Sequence, residues 1–332
     1  MFVKKFISSI LNKRVNKLSS INCLPNKPNV FINATFQIGD YLAMSPIIEA
    51  VKSKWPESTI IVLCTKKNED VVKYDTRVNY ICLPKDRKWY KYPKVLSERI
   101  NCNVDLLIEV SSIEKPHRSI VGFTLKPDLT IGHDYEKHKC IQNPPIRLDK
   151  HNISKPEYWS RLMVAYGFSQ PPSVFKVFAK KNNKMEILIN RENLKDYLIF
   201  NPFASRNSRS LNVNKSVDIL KKLKNDGFNC IFILPSYIKN KDMWKSELEP
   251  FSRVFCVDSI QDSIYLIEKS RGVISVDTAI IHIASAYNIP TIGLFKETHL
   301  EYKLWHPQSS KKYVGSLTGS VEDVINSKIF HD

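Results

Sequence analysis

The residues best suited to chemistry are Asp277, Thr278 and His282, within the stretch GVISVDTAIIHIASAYNIPTIGLF. Gly272 to Val276 is apolar and β-branched, the pattern of a strand buried on both faces. A helix follows to Tyr287. Asn288 suits a left-handed residue just past that helix, Pro290 stops it, and Thr291 to Phe295 begins another buried strand. On a helical wheel Ile280, Ile283, Ala284 and Tyr287 share one face, with Thr278, His282 and Ser285 opposite. Thr278 and His282 lean toward the end where backbone N–H groups lack partners. A hydroxyl, an imidazole and free amides at the positive end of a helix dipole suit a phosphate or diphosphate. The plain alternative makes Asp277 an ordinary helix cap and leaves His282 to bond a neighbouring loop.

Two further places offer similar chemistry. Asp40 follows the apolar strand Asn29–Asn33 and the loop Ala34–Gly39. It would sit at the C-terminal edge of a parallel strand, where α/β folds bind ligands, or else serve as a helix N-cap. The segment PFASRNSRSL, after the strand Tyr197–Asn201, is a polar basic loop ahead of a helix from about Asn214 to Asp226. That geometry again presents amides and cations to phosphate.

The elements that must position these residues read as strands alternating with helices. In the first half the expected strands are Asn29–Asn33, Thr59–Cys64, Val78–Leu83 and Val104–Val110. A helix with Pro46 in its first turn links the first pair, which makes a parallel crossover. Its loop lacks G-x-G-x-x-G, so no dinucleotide fingerprint is present. In the second half they are Tyr197–Asn201, Asn229–Leu234, Arg253–Val257, Gly272–Val276 and Thr291–Phe295. Gly227 is expected as a C-cap, Ser259 with Asp262 as a capping box, and Ser320–Lys328 as a final short helix. A helix over Asn152–Phe168 and the stiff Pro171-Pro172 place a domain boundary nearby. The expected organisation is a basic leader (1–28), an N-terminal domain (29–175) and a C-terminal domain (176–332).

Composition narrows the function classes. The 332 residues, 43% of them hydrophobic, allow two α/β cores, and no apolar run approaches the ~20 residues of a membrane span. The leader places Phe2, Phe6, Ile10 and Leu11 to one side of its lysines. It reads as a basic amphipathic segment for a membrane interface or as a frayed terminus. Seven cysteines without a C-x-x-C pair argue against a disulfide framework or zinc site and suit a reducing cytoplasm. His133, His138 and His151 have no accompanying ligand pattern, so no metal is expected. The net charge of +17 fits nucleic acid, anionic lipid or polyphosphorylated substrates. A non-enzymatic basic module for nucleic acid or membrane is the rival class, but no nucleic-acid motif appears and the basic residues are spread along the chain.

The stretch from Val276 to Phe295 resembles the donor-site signature of glycosyltransferase family 9, the lipopolysaccharide heptosyltransferases. Val276, Asp277, Thr278, Ala279, His282, Ala284, Ala286, Pro290, Leu294 and Phe295 fit it, while Ala279 and Lys296 stand where Gly is usual. Gly39-Asp40, Pro46, Val51-Lys52 and Pro56 keep the family's N-terminal order, and Trp305 with Pro307 echoes a later W-x-P. The resemblance implies a GT-B architecture, two Rossmann-like domains with parallel sheets facing across a cleft. It implies Asp40 as catalytic base, taking a proton from the acceptor hydroxyl in inverting transfer. The donor diphosphate would meet Arg209, which takes the position of a family Lys, together with Ser205, Asp277, Thr278, Ala279 and His282. With no D-x-D pair in a strand-end loop, transfer is expected to need no metal or other cofactor. The implied partners are a nucleotide-diphosphate sugar, ADP-heptose or another NDP-sugar, and a phosphorylated glycolipid acceptor at an anionic membrane surface. Acceptor candidates are Arg87 and Lys88 in a basic, aromatic segment, and His117 and Arg118. A solvated surface loop is the alternative for the former pair. The implied location is cytoplasmic and peripheral to the inner membrane.

Overall fold

The computed structural model describes residue 17 and residues 20–110, 116–132, 148, 153–296, 299–321 and 325–331, excluding the side chains at 86–87, 116–119 and 299–301. The chain divides into two compact units, residues 1–150 with 155–173, and residues 151–154 with 174–332. The expected leader lies outside the described residues, apart from its C-terminal end.

In the first unit, β1 (Asn29–Asn33), β2 (Thr59–Thr65), β3 (Asn79–Leu83), β4 (Leu106–Glu109) and β5 (Leu129–Gly132) form a sheet in the order β3-β2-β1-β4-β5. Every neighbouring pair is parallel. Parallel strands need crossovers, and the helices that provide them cover both faces, which is why these strands read as unbroken apolar runs. Phe31, Leu63, Leu107, Tyr92, Leu96 and Val121 form a core on one face.

The segment after β1 differs from the single helix expected there. It folds as a short helix Ile38–Ala43 and a second one Ser45–Lys54, with Met44 between them. Pro46 is the cause. It lacks an N–H and its ring would collide with the carbonyl a turn earlier, so it suits the start of a new helix rather than the interior of an old one. Asp40 is consequently the third residue of the short helix, and Gln37 occupies the N-cap position.

The second unit contains β6 (Tyr197–Asn201), β7 (Asn229–Pro235), β8 (Arg253–Val257), β9 (Gly272–Val276), β10 (Thr291–Phe295) and β11 (Lys312–Ser316), ordered β11-β10-β9-β6-β7-β8. These neighbours are also parallel. Phe200, Phe203, Phe232 and Trp244 pack together in its core, with Phe203 edge-on to Trp244 at 4.8 Å. Local signals are obeyed. Ser259 and Asp262 form the capping box, Asn288 is left-handed at φ 55°, and Gly227 at φ 85° follows the helix Val213–Asn225. Within the expected final helix Ser320–Lys328, Val321 is helical and its carbonyl accepts from Ile325 N–H at 2.9 Å. A 3-10 turn occupies Ser327–Phe330, and residues 322–324 lie outside the described part.

Candidate functional site

In each sheet the strand order reverses beside the first strand, between β1 and β4 in the first unit and between β6 and β9 in the second. Ligands of open α/β sheets bind outside the carboxyl ends of the strands at such a reversal. The sequence-derived candidates gather there in the second unit.

Asn201 ends β6 and is the register partner of Ser275 on β9. Its side-chain N–H groups donate to Ser275 Oγ at 3.0 Å, to the Phe203 carbonyl at 3.2 Å and to Thr278 Oγ1 at 3.3 Å. One buried amide therefore fixes the start of the basic loop and the end of β9 together. The loop is closed on itself by Leu211 N–H to the Pro202 carbonyl at 2.9 Å, and by Ala204 N–H to Ser210 Oγ at 2.9 Å. Thr278, not Asp277, is the N-cap of the helix Ala279–Ala286, and its hydroxyl accepts from Ile280 N–H at 3.3 Å. Ala279, as the first helical residue, keeps its N–H outside the helix's own hydrogen-bond ladder.

Asp277 is released from capping and pairs with Arg209, Nη1 to Oδ2 at 2.7 Å. Arg209 Nη2 also donates to Ser205 Oγ at 3.1 Å. The buried Nε of Arg209 has no hydrogen-bond partner among the described residues. The guanidinium is thus held at the mouth of the helix by two residues and retains an unused donor. A buried donor without a partner costs about 1–3 kcal/mol, a debt that an anion accepting from it removes.

His282 departs from the polar face expected for it. It is 3% exposed, stacked on Phe175 at 4.6 Å and 15° and lying against Trp305 at 5.2 Å. The helix is buried nearly all round, with Ile280, Ile281, Ile283 and Ala284 inward as well. Burial, aided by the neighbouring His306, lowers the imidazole from 6.5 to about 3, so it is neutral at working pH. Its Nδ1 is buried and lacks a partner among the described residues. His282 can offer a hydrogen bond there but no charge. Phe175 carried no sequence signal, whereas the W-x-P motif pointed at Trp305 without giving its task. Asn201 and Ser275 were missed. An Asn at the end of an apolar strand was their only trace.

In the first unit Asp40 is half-buried on its short helix. The structure adds a second carboxylate at that sheet's reversal. Asn33 ends β1 and donates to both carboxylate oxygens of its register partner Glu109, at 2.8 and 3.1 Å. Lys88 is exposed on the 3-10 segment Asp86–Lys91. His117 and Arg118 lie on the helix Pro116–Leu125, but the side chains of Arg87, His117 and Arg118 are outside the described part, as are His133, His138 and His151. Among the described residues no cluster of three or more His, Cys, Asp or Glu could hold a metal ion, and no helix is long and apolar enough to cross a membrane.

Residues 58–320 match the family model "Glycosyltransferase family 9 (heptosyltransferase)". Across 96% of this chain and 89% of its relative, the sequence is 21% identical to a protein named provisionally lipopolysaccharide heptosyltransferase 4 of Escherichia coli K12. Among solved structures, a family 9 glycosyl transferase from Veillonella parvula superposes with a TM-score of 0.74 at 13% identity, covering 92% of this chain and 93% of that one. Escherichia coli heptosyltransferase WaaC with ADP gives 0.69 at 16%, covering 90% and 96%. Escherichia coli ADP-heptose lipopolysaccharide heptosyltransferase II also gives 0.69, at 15%, covering 90% and 94%. These likenesses extend over both units and show the GT-B fold. With the family model spanning most of its length, the chain belongs to glycosyltransferase family 9, the heptosyltransferase family, and is a glycosyltransferase.

Proposed function

We propose that the protein transfers a heptose from ADP-heptose to the inner core of a lipopolysaccharide or lipooligosaccharide, with inversion at the anomeric carbon and without a metal ion. The Asp40 carboxylate takes the proton of the acceptor hydroxyl, whose oxygen attacks the anomeric carbon. The bond from that carbon to the diphosphate breaks, and ADP departs with the electron pair. Arg209, with Ser205, the Thr278 hydroxyl and the Ala279 amide, stabilises the charge that develops on the diphosphate. Asp277 holds Arg209 in place until the donor arrives, and His282 contributes a neutral hydrogen bond. Arg87, Lys88, His117 and Arg118 are proposed for the phosphorylated acceptor, and the basic leader for an anionic membrane surface on the cytoplasmic side.

The observation that carries this reading is the unsatisfied Arg209 Nε beside the N-terminus of the helix Ala279–Ala286, at the strand-order reversal of the second unit. A guanidinium and helix amides together favour a diphosphate over a neutral ligand. The choice of ADP-heptose draws on Escherichia coli heptosyltransferase WaaC, solved once with ADP and once with ADP-2-deoxy-2-fluoro heptose.

Asp40→Asn tests the roles. The variant is expected to bind ADP in calorimetry as the wild type does and to lose about 100- to 10,000-fold in transfer rate. Full turnover in Asp40→Asn would remove Asp40 from the mechanism. A thermal-shift panel of nucleotide sugars tests the donor, and stabilisation by a UDP-hexose but not by ADP-heptose would replace it.

A further inference from the structure

The helix that carries Asp40 is six residues long, Ile38–Ala43, and Gln37 at its N-cap position supplies no side-chain hydrogen bond. Isolated helices shorter than ~12–15 residues are marginal in water, so neighbours must fix this one. Tyr41, Leu42 and Ala43 are buried. Apolar contact alone leaves a short helix free to rotate or slide, because the hydrophobic effect has no direction.

Direction comes from a polar cluster behind it. The Tyr41 hydroxyl donates to Asp75 Oδ2 at 2.8 Å. Asp75, 3% exposed in the turn before β3, is gripped by Arg77, with Nε to Oδ1 at 2.9 Å and Nη2 to Oδ2 at 2.7 Å. The Arg77 backbone N–H adds a bond to Oδ1 at 3.0 Å. The other end of the guanidinium, Nη1, donates to Ser45 Oγ at 2.8 Å and Glu49 Oε1 at 2.6 Å, both on the helix Ser45–Lys54. The Asp75–Arg77 pair therefore ties the β3 turn to the helices on both sides of the Met44 break, the carboxylate to Tyr41 before it and the guanidinium to Ser45 and Glu49 after it. Burial and the Asp75 carboxylate raise the Tyr41 phenol above its ordinary value, so it stays a donor. Burying charges costs desolvation that apolar packing avoids, which makes such a cluster a poor device for stability alone. Fixed hydrogen-bond angles are what it offers.

We infer that Tyr41, Asp75 and Arg77 are positioning residues, which set the orientation of the helix Ile38–Ala43 and thereby of the Asp40 carboxylate. The inference rests on the assignment of Asp40 as base. A misplacement of the reacting groups by about 1 Å costs up to about 100-fold in rate.

Tyr41→Phe removes only the hydroxyl and leaves Asp75 paired with Arg77. With ADP-heptose and heptose-less lipopolysaccharide, kcat is expected to fall about 10-fold or more while KM for the donor stays within about twofold. In an Asp40→Asn background the same change should cost nothing further, because it acts through that carboxylate. Amide exchange over residues 41–44 should rise about 10-fold as the helix loosens, whatever the substrate. Arg77→Lys, which loses the two-pronged grip, should do the same more strongly. Unchanged kcat in a folded Tyr41→Phe, additive loss in the double variant, or unchanged exchange would each overturn the proposal. If Asp40→Asn itself keeps turnover, the base assignment fails, and the exchange measurement still decides whether the cluster orients this helix.

Discussion

His282 gives the sharpest numerical test, because its environment fixes both a sign and a size. Its burial between Phe175 and Trp305 lowers the imidazole from 6.5 to about 3. In the unfolded chain the same ring titrates near its ordinary value. Between those limits the unfolded state binds a proton that the folded state does not, so stability falls as pH falls below about 6.5 and continues to fall toward 3. At pH 5 the unfolded imidazole is about 30-fold more protonated than neutral, a factor of about 2 kcal/mol. That figure barely changes if the folded value is 4 rather than 3, because the ring is neutral at pH 5 either way.

Two measurements read it. The His282 Cε1–H resonance should show no inflection between pH 8 and 5. Exchange-derived opening free energies of the helix Ala279–Ala286 should drop between pH 7.5 and 5 by about 2 kcal/mol more in the wild type than in His282→Gln. Carboxylates common to both chains cancel in that comparison. An inflection near pH 6.5 would refute the reasoning. His282 would then be a solvated cation facing the ligand rather than a buried neutral ring, and the charge assigned to Arg209 would have to be shared.

Arg209→Ala removes charge-assisted hydrogen bonds worth about 1.5–3 kcal/mol, so ADP affinity in calorimetry should fall about 10- to 150-fold, with Arg209→Lys recovering part of it. Unchanged affinity in Arg209→Ala would remove it from the donor site. Gly272→Ala adds a Cβ that would overlap the Phe330 ring and stand 2.9 Å from Leu198 Cδ2. Overpacking of this kind costs about 1–3 kcal/mol, so the thermal midpoint should drop while ADP affinity at low temperature stays the same.

The sequence announced some of this and hid the rest for physical reasons. β6, β9 and β10 begin and end where the sequence pattern places them, because parallel strands covered on both faces have no polar side to blur the pattern. β5 and β11 escaped. Leu129–Gly132 is only four residues with Thr and Gly among them, and Lys312–Ser316 is a partly exposed edge strand. Caps and turns at Ser259, Gly227 and Asn288 were readable since they depend on local residues. The surroundings of His282 were not, because Phe175 arrives from far along the chain. The wheel correctly set Thr278 and His282 apart from Ile280 and Ile283, yet no wheel can say that both sides of a helix will be covered. Asp75 and Arg77 looked like any charged turn until Tyr41 was placed over them.

The two units also share a plan. Matching β1 to β6 and counting onward, β3-β2-β1-β4-β5 has the same order as β8-β7-β6-β9-β10, with β11 added at the far edge of the second sheet. Each first strand ends in an asparagine, Asn33 or Asn201, and each reaches across the strand-order reversal to its register partner. The partners differ in kind. Asn33 meets the Glu109 carboxylate, and Asp40 follows on the next helix, so that strand edge is built around proton acceptors. Asn201 meets the Ser275 and Thr278 hydroxyls, with Arg209 and a helix N-terminus beside them, so the other is built around hydrogen-bond donors and positive charge. The inverting transfer proposed above makes both demands at once, a base for the entering hydroxyl and an electrophilic cradle for the leaving diphosphate. A carboxylate placed in the cradle would repel the diphosphate, and a guanidinium placed beside the base would lower its proton affinity. Under the proposed mechanism, dividing the two demands between two sheets of the same strand order lets each edge be tuned without compromising the other.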